Sequence, residues 1–348
     1  MAVTEFGTND AQAVKRWSLQ LFRETLGKTY FKRFLGRGND AIIKLLTDLN
    51  DAAGDVVKYD LRSQDRSNGV QGDTRLKGFE SALTFNQDSV AIDQLRNAHA
   101  FRGMTQQRTV HDLRAEGRDS LSDWFARIYD TMLFTYLAGV AGDGEETVSG
   151  ILGASGFAGN ALTAPDAAHL VNNTGSAFDL NDLDDAIAKA KVTNPRVKPT
   201  MVNGQPKYVA VLHPYSVRSM KTATGNSQWT EIHQNASERG SSNPIYTGAL
   251  GEYNGVVLHE SEFIQRVGDV THNVFLGACA GVVSFGNAVK KTKRGAGGGS
   301  YFSYREEDDD YGNEEGIAAG SVFGIKKATF NSADFGVIRL TNTESAPT

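Results

Sequence analysis

Asp55-Val-Val-Lys-Tyr-Asp-Leu-Arg62 alternates Val57, Tyr59 and Leu61 with Lys58, Asp60 and Arg62. A period of two with one apolar side is the pattern of a half-buried strand. A second strand-like run, residues 82–95, alternates through Leu83 and Phe85 and then Val90 and Ile92. Between them, residues 63–81 hold only Val70, Leu76 and Phe79 as large apolar side chains, carry six charged positions, and are punctuated by Gly69, Gly72 and Gly78. Such a segment buries no core of its own, and compact domains seldom keep so long a polar connection without a use for it. Continued as a two-stranded finger of about ten residues per arm, it projects roughly 33 Å at the usual strand rise. An isolated ribbon is marginal in water, so a finger makes physical sense lying on a neighbouring subunit. A disordered surface loop is the other reading.

Upstream, residues 10–28 read as an amphipathic helix with Val14, Trp17, Leu21 and Thr25 on one face and Asn9 or Asp10 as N-cap. Up to Arg37 this arm carries seven Lys and Arg against Glu5, Asp10 and Glu24, which suits either an interaction arm or a solvated face. Downstream, residues 109–140 read as a long helix. Leu121, Trp124, Phe125, Ile128, Met132 and Tyr136 make its stripe, Thr109 and Asp112 fit a loose capping box, and Gly139 with Gly142 ends it. Gly117 weakens the helix, and the stripe is core: this element is a structural spine. Residues 141–178 are loop-like. Residues 179–191 form a short helix facing inward through Leu183, Ile187 and Ala190, and residues 207–212 a buried strand stopped by His213-Pro214. A helix can start at Tyr215, and residues 221–243 are polar loop. Residues 255–259 and 274–285 look like core strands, so 179–289 reads as a compact α/β domain, and residues 322–340 return as strand.

The 348 residues are roughly two domains' worth of chain. A hydrophobic share of 40% and a charged share of 22% allow a buried core. A net charge of −5 excludes a basic nucleic-acid-coating protein. Cys279, the single cysteine, excludes an intrachain disulfide and a multi-cysteine metal cluster. No secretory signal opens the sequence, and the most apolar stretch, 274–289, is broken by Ser284 and Asn287 and falls short of the roughly 20 residues of a membrane span. The chain is read as soluble and made in a reducing cytoplasm. Thirty-seven glycines against 7 prolines, in no collagen-like period, point to many turns.

No chemistry-bearing constellation emerges. Gly27-Lys28-Thr29 matches the end of a phosphate-binding loop, but the first glycine of that motif would fall at Phe22, inside a helix. The glycine-rich stretches 150–156 and 295–300 lack the strand–glycine–helix context of a dinucleotide site. His259-Glu260 has no second histidine at helical distance, and His111 and His169 stand alone. Cys279, among small apolar residues, reads as a buried thiol. The acidic run 306–310, with Glu314 and Glu315, does not fit a calcium loop and follows the basic cluster Lys290, Lys291, Lys293 and Arg294. Opposed charge blocks on one loop suit a solvated or subunit-contacting face. No cofactor and no metal is called for.

The order of elements — basic arm, polar hairpin, spine helix, compact α/β domain, returning strands — resembles the tailed-phage capsid fold first seen in phage Hong Kong 97. The wording is similar to the major capsid proteins of podoviruses like coliphage N-four. The stretches that carry this likeness are 17–35, Gly69-Val-Gln-Gly-Asp73, 90–96, 243–259, Asp310-Tyr-Gly-Asn313, Phe323-Gly-Ile-Lys-Lys-Ala-Thr-Phe-Asn331 and Asp334-Phe-Gly336. The resemblance implies an α+β Hong Kong 97-like fold with an N-terminal arm at 1–40, an extended β-hairpin loop with its flanks at 41–100, a peripheral domain with the spine helix at 101–178, an α/β axial domain at 179–289 and a return to the peripheral domain at 290–348. It implies a non-enzymatic shell subunit that assembles with itself as hexamers and pentamers around double-stranded DNA held without sequence specificity. Portal, separate scaffolding and decoration proteins are the implied partners, with no membrane, in a virion assembled in the bacterial cytoplasm. A cleaved scaffolding segment within the chain is not expected. The finger then becomes an intersubunit clasp offering Arg62, Asp65, Arg66, Asp73, Arg75 and Lys77 to a neighbour, with Asp308, Asp309 and Asp310 as a second contacting group. Mild negative charge suits a container that encloses DNA without gripping it. An encapsulin-like nanocompartment shell and an α/β enzyme of unknown chemistry are the rival readings.

Overall fold

The computed structural model describes residues 21, 24–25, 27–47, 54–62, 68–80, 82–83, 85–143, 148–152, 156–202, 204–222, 249–287, 302–309 and 313–346. The helix expected over 10–28 lies largely outside them, although Leu21 is fully buried. In chain order the main elements are β1 (Ile43–Leu46), β2 (Val56–Arg62), β3 (Phe85–Ala91), β4 (Asp93–Arg102), α1 (Gly103–Arg108), α2 (Leu113–Ala138), β5 (Leu170–Asn173), α3 (Leu180–Val192), β6 (Gln205–Leu212), α4 (Pro214–Thr222), β7 (Ala249–Tyr253), β8 (Val256–Glu260), β9 (Val270–Leu276), β10 (Gly281–Phe285), β11 (Phe302–Asp309), β12 (Glu314–Lys327) and β13 (Val337–Thr343).

These strands make two large sheets. One has six strands, in the order Leu35–Gly36, β1, β10, β12, β11, with β4 also paired to β12; the other has eight, running β5, β13, β9, β6, β8, β7 with two short strands added on β6 and β9. The core strand expected over 274–285 is in fact two strands in different sheets. Between them Cys279 takes a φ of 53°, and the chain turns from β9 in the eight-stranded sheet to β10 in the six-stranded one. The last strand, β13, crosses back and pairs with β9 and with β5.

The spine helix lies in the main core between the two sheets. Phe125, Tyr129 and Met132 pack with Phe302 and Phe323 of the six-stranded sheet, and the same cluster takes in Val209, Val211 and Val274 of the eight-stranded one. Tyr129 meets Phe323 edge-on at 4.6 Å between ring centroids, and burying each such ring is worth about 1.5–3 kcal/mol. Helices α3 and α4 supply Leu183, Ile187, Val217 and Met220 to a second core with Tyr208, Ala210, Leu212 and Leu258. Alternate residues of β6 therefore enter opposite cores, which is why that strand reads as an unbroken apolar run.

Helix α2 starts later than the spacing predicts. Asp112, not Thr109, is the N-cap, its carboxylate accepting from the Arg114 and Ala115 N–H groups, and residues 103–108 form the separate helix α1. Gly139 closes α2 in the left-handed conformation at φ 69°, as expected. Gly117 has a positive use, since a Cβ there would collide with the Ile317 side chain on β12.

The hairpin pairs β2 with β3 from Val56↔Ala91 to Arg62↔Phe85. Val57, Tyr59 and Leu61 are buried while Lys58, Asp60 and Arg62 are exposed, as the alternation requires. The buried face packs with Val90 against Val282, Ala328 and Phe335, so the stem is part of the body and not a free ribbon. Among the described residues its paired part is seven residues per arm, and residues 63–67, where the expected finger would continue, lie outside them. Residues 68–80 beyond it form turns with no strand. The run 82–95 divides at Ile92, whose N–H donates to Asp55 O at 2.9 Å, and β4 then continues to Arg102 along β12.

Candidate functional site

The stem is fixed to the body by a polar cluster. Lys326 Nζ stands 2.5 Å from Asp88 Oδ1, and the Tyr59 hydroxyl donates to Asp88 Oδ2 at 2.8 Å. Burial pushes the Asp88 carboxyl up, but the hydrogen bonds from Lys326, Ser89 and Tyr59 outweigh it and hold the group below the usual carboxylate range. Beyond the stem Glu80 accepts from the Gly78 N–H at 2.7 Å, but the other charges there have no such partner among the described residues. Arg62 is exposed at the end of β2, and Asp73, Arg75 and Lys77 are exposed in the turns of 68–80, none with an ion-pair partner among the described residues. Asp65 and Arg66 lie outside the described residues. The same tip exposes Leu76 at 60% and Phe79 at 66%.

The acidic run is a strand, not a loop. Asp308 and Asp309 sit at the end of β11, directly opposite Glu315 and Glu314 of β12, and Asp310 lies outside the described residues. Like charges facing across a strand pair are destabilising. Two of the neighbouring acids are answered within the chain: Arg114 holds Glu306 through two nitrogens at 2.7 and 2.5 Å, and Arg102 Nε meets Glu314 at 2.7 Å. Asp308 and Glu315 have no ion-pair partner among the described residues.

Three cations escaped the sequence reading. Lys191 at the end of α3, and Arg196 and Lys198 after it, join Arg62 of the hairpin around one groove of about 780 Å³. No local pattern marks them, because Arg62 and the three later cations are far apart in the chain and share only the lining of this groove.

The buried titratable groups belong to the scaffold. Lys327 Nζ is 2.8 Å from Asp334 Oδ1, both side chains 3% exposed or less, and burial pushes Lys327 down and Asp334 up. Asp130 accepts from the Tyr30 and Phe31 N–H groups at 2.7 and 3.0 Å, which pins the end of the N-terminal arm on α2. Burial raises its carboxyl to about 7 against those bonds. Cys279 is buried, with its thiol pushed up by burial, and donates from Sγ to Asn39 O at 3.2 Å. Among the described residues no group of three His, Cys, Asp or Glu is placed to hold a metal ion, and no helix is long and apolar enough to cross a membrane.

The arrangement offers two charged surfaces holding groups without ion-pair partners among the described residues, and known proteins of this fold say what such a chain is. Residues 5–346 match the family model described as phage capsid protein. The chain is 26% identical to the major capsid protein of Pseudomonas phage KPP25, over 96% of this chain and 95% of that one. Among solved structures it superposes on the capsid of Ralstonia phage GP4 with a TM-score of 0.79 and 30% identity, covering 100% of this chain and 96% of that one. The capsid asymmetric unit of cyanophage Pam1 shares the fold at a TM-score of 0.67 and 18% identity, over 92% of this chain and 94% of that one. Matched from end to end, with an α+β fold shared with phage capsid subunits, the chain belongs to the phage capsid protein family, a family of structural proteins and not of enzymes.

Proposed function

We infer that this chain is the major capsid protein of a tailed phage, which assembles with itself into hexamers and pentamers to close the icosahedral head. The observation that carries this reading is the whole-chain likeness to the Ralstonia phage GP4 capsid. The finer reading is a Hong Kong 97-type subunit of a podovirus like coliphage N-four. In its domain layout β10 and β13 are exchanged between the segments that the chain order assigns to axial and peripheral parts. Arg62, Asp73, Arg75 and Lys77 on the hairpin, with Asp65 and Arg66 of the same loop, clasp a neighbouring subunit, and Asp308, Asp309 and Asp310 meet another. The exposed, unpaired charges and apolar groups of the tip support this clasp. A net charge of −5 suits a wall that encloses double-stranded DNA without gripping it. Portal, scaffolding and decoration proteins complete the head, which is built in the host cytoplasm.

Light scattering and electron microscopy of the purified chain test the reading. Hollow particles, or rings of five or six subunits, are expected. A persistent monomer with a radius of gyration of roughly 20 Å, unchanged by crowding agents, would overturn it.

A further inference from the structure

The groove beside the hairpin stem gathers Arg62, Lys191, Arg196 and Lys198 with apolar lining from Leu83 and Ile187; among the described residues no carboxylate lines it, and Asp40 and Asp60 line an adjoining cavity that shares Arg62 and Lys198. None of the four cations has an ion-pair partner among the described residues. Lys191 lies in the last turn of α3, where a cation is favoured by the helix dipole and needs no further reason. Arg196 and Lys198 are different, because their backbone is fixed. Val197 between them is fully buried, its N–H donates to Ala190 O at 3.2 Å, and Lys198 O accepts from Ala278 N–H at 2.7 Å. Four like charges held around one concavity repel one another, and an anion entering it relieves that repulsion.

We propose that this groove receives the acidic end of the β11–β12 hairpin of a second copy of the chain, with Asp308 and Glu315 entering among Arg62, Arg196 and Lys198. The inference rests on the shell reading above and names a contact within it. Asp308 faces Glu315 across the strand pair, and among the described residues neither has a cation partner and the groove has no acid in its lining. Two complementary patches on different parts of one chain give a head-to-tail contact, which closes into a ring when the rotation allows. A phosphate chain would also answer the cations. The apolar lining and the chain's negative balance favour a protein occupant.

The test is a charge exchange in the full chain, with wild-type particles as the control for the shell reading itself. Arg196→Glu with Lys198→Glu, both at exposed positions, is expected to lower particle yield by about tenfold or more while the subunit keeps its circular dichroism and thermal midpoint. Asp308→Lys with Glu315→Lys is expected to do the same. Combining the four substitutions in one chain should restore particles. Unchanged yield from either pair, or no recovery in the combination, overturns the contact while leaving the shell reading standing on the wild-type particles. Particles of normal yield that retain less nucleic acid also overturn it, and assign the groove to phosphate. Arg62→Glu with Lys191→Glu repeats the test from the other wall should the first pair fail to fold.

Discussion

The core around the spine helix and the hairpin that leaves it treat their charges in opposite ways. In the body three ionisable groups are answered from the same chain: buried Asp130 by two backbone N–H groups, buried Lys327 by Asp334, and half-buried Glu306 by Arg114. The hairpin begins under the same rule, with Asp88 held by Lys326 and Tyr59. Past Arg62 and Phe85 the rule lapses. Asp73, Arg75 and Lys77 have no ion-pair partner among the described residues, and Leu76, Phe79 and Leu83 are more than half exposed. The proposed clasp assigns this contrast to a division of labour, with the body serving folding and the tip serving assembly. Substitutions in the body are therefore expected to act on stability, and substitutions in the tip on closure.

The largest stability effect is expected at Lys327 and Asp334. Removing one member of a buried pair strands the other charge, which costs about 3–5 kcal/mol, so Asp334→Ala should lower the urea midpoint sharply or leave no folded subunit. Replacing both, Lys327→Met with Asp334→Leu, should recover most of the loss. A small effect of Asp334→Ala alone would mean that the body tolerates an unanswered charge as the tip does.

A smaller effect is expected at Asp130. Asp130→Ala leaves the Tyr30 and Phe31 N–H groups without their acceptor, at about 1–3 kcal/mol. Because burial raises the Asp130 carboxyl to about 7, the folded chain holds that proton to higher pH than the unfolded chain does. Its contribution is complete below the unfolded carboxylate range, near pH 4, and is lost as pH rises through about 7. Burial holds His213 and His272 near 4, which adds stability over the same window, so the effect is read as a difference: urea midpoints from pH 4 to 8 should fall in the wild type relative to Asp130→Asn. A parallel decline in the variant would place the titration elsewhere.

Which of these features a sequence discloses follows from how local their causes are. The alternation in 55–62 assigns the buried face of β2 residue by residue, because the pleat imposes a period of two whatever lies beneath it. Helix α3 begins at its Asp179 cap for an equally local reason. The exchange of β10 and β13 between sheets has no local cause, since both are short apolar strands whose partners lie far along the chain. Strand β12 is hidden differently. Its first half is rich in Gly and Ala, poor strand formers, and it is a strand because β4, β11 and α2 close on it, with Gly117 leaving room for Ile317. The groove cations at 62, 191, 196 and 198 are illegible for the same reason: Arg62 lies far along the chain from the other three and shares with them only the lining of one groove.

The smallest stability effect is expected from the tip itself, and it is the sharpest probe of the comparison. Residues 68–80 make no strand pairing, and all but one are exposed, so replacing them with a short Gly-Ser connection removes little that the monomer uses. Local openings of this kind lie at the low end of a protein's stability range, and the thermal midpoint should move by no more than about 1–2 °C, equivalent to about 1 kcal/mol in a chain of this size. Assembly should respond in the opposite sense. If Asp73, Arg75, Lys77 and the apolar groups beside them clasp a neighbour, each is lost from every contact of a symmetric shell at once, and many modest interfaces fail together. A subunit that melts like the wild type but forms no closed particles separates folding from assembly along the line where the chain's own pairing stops. Normal particles would move the clasp off the tip, and a large fall in the melting temperature would mean that the tip is finished within the chain after all.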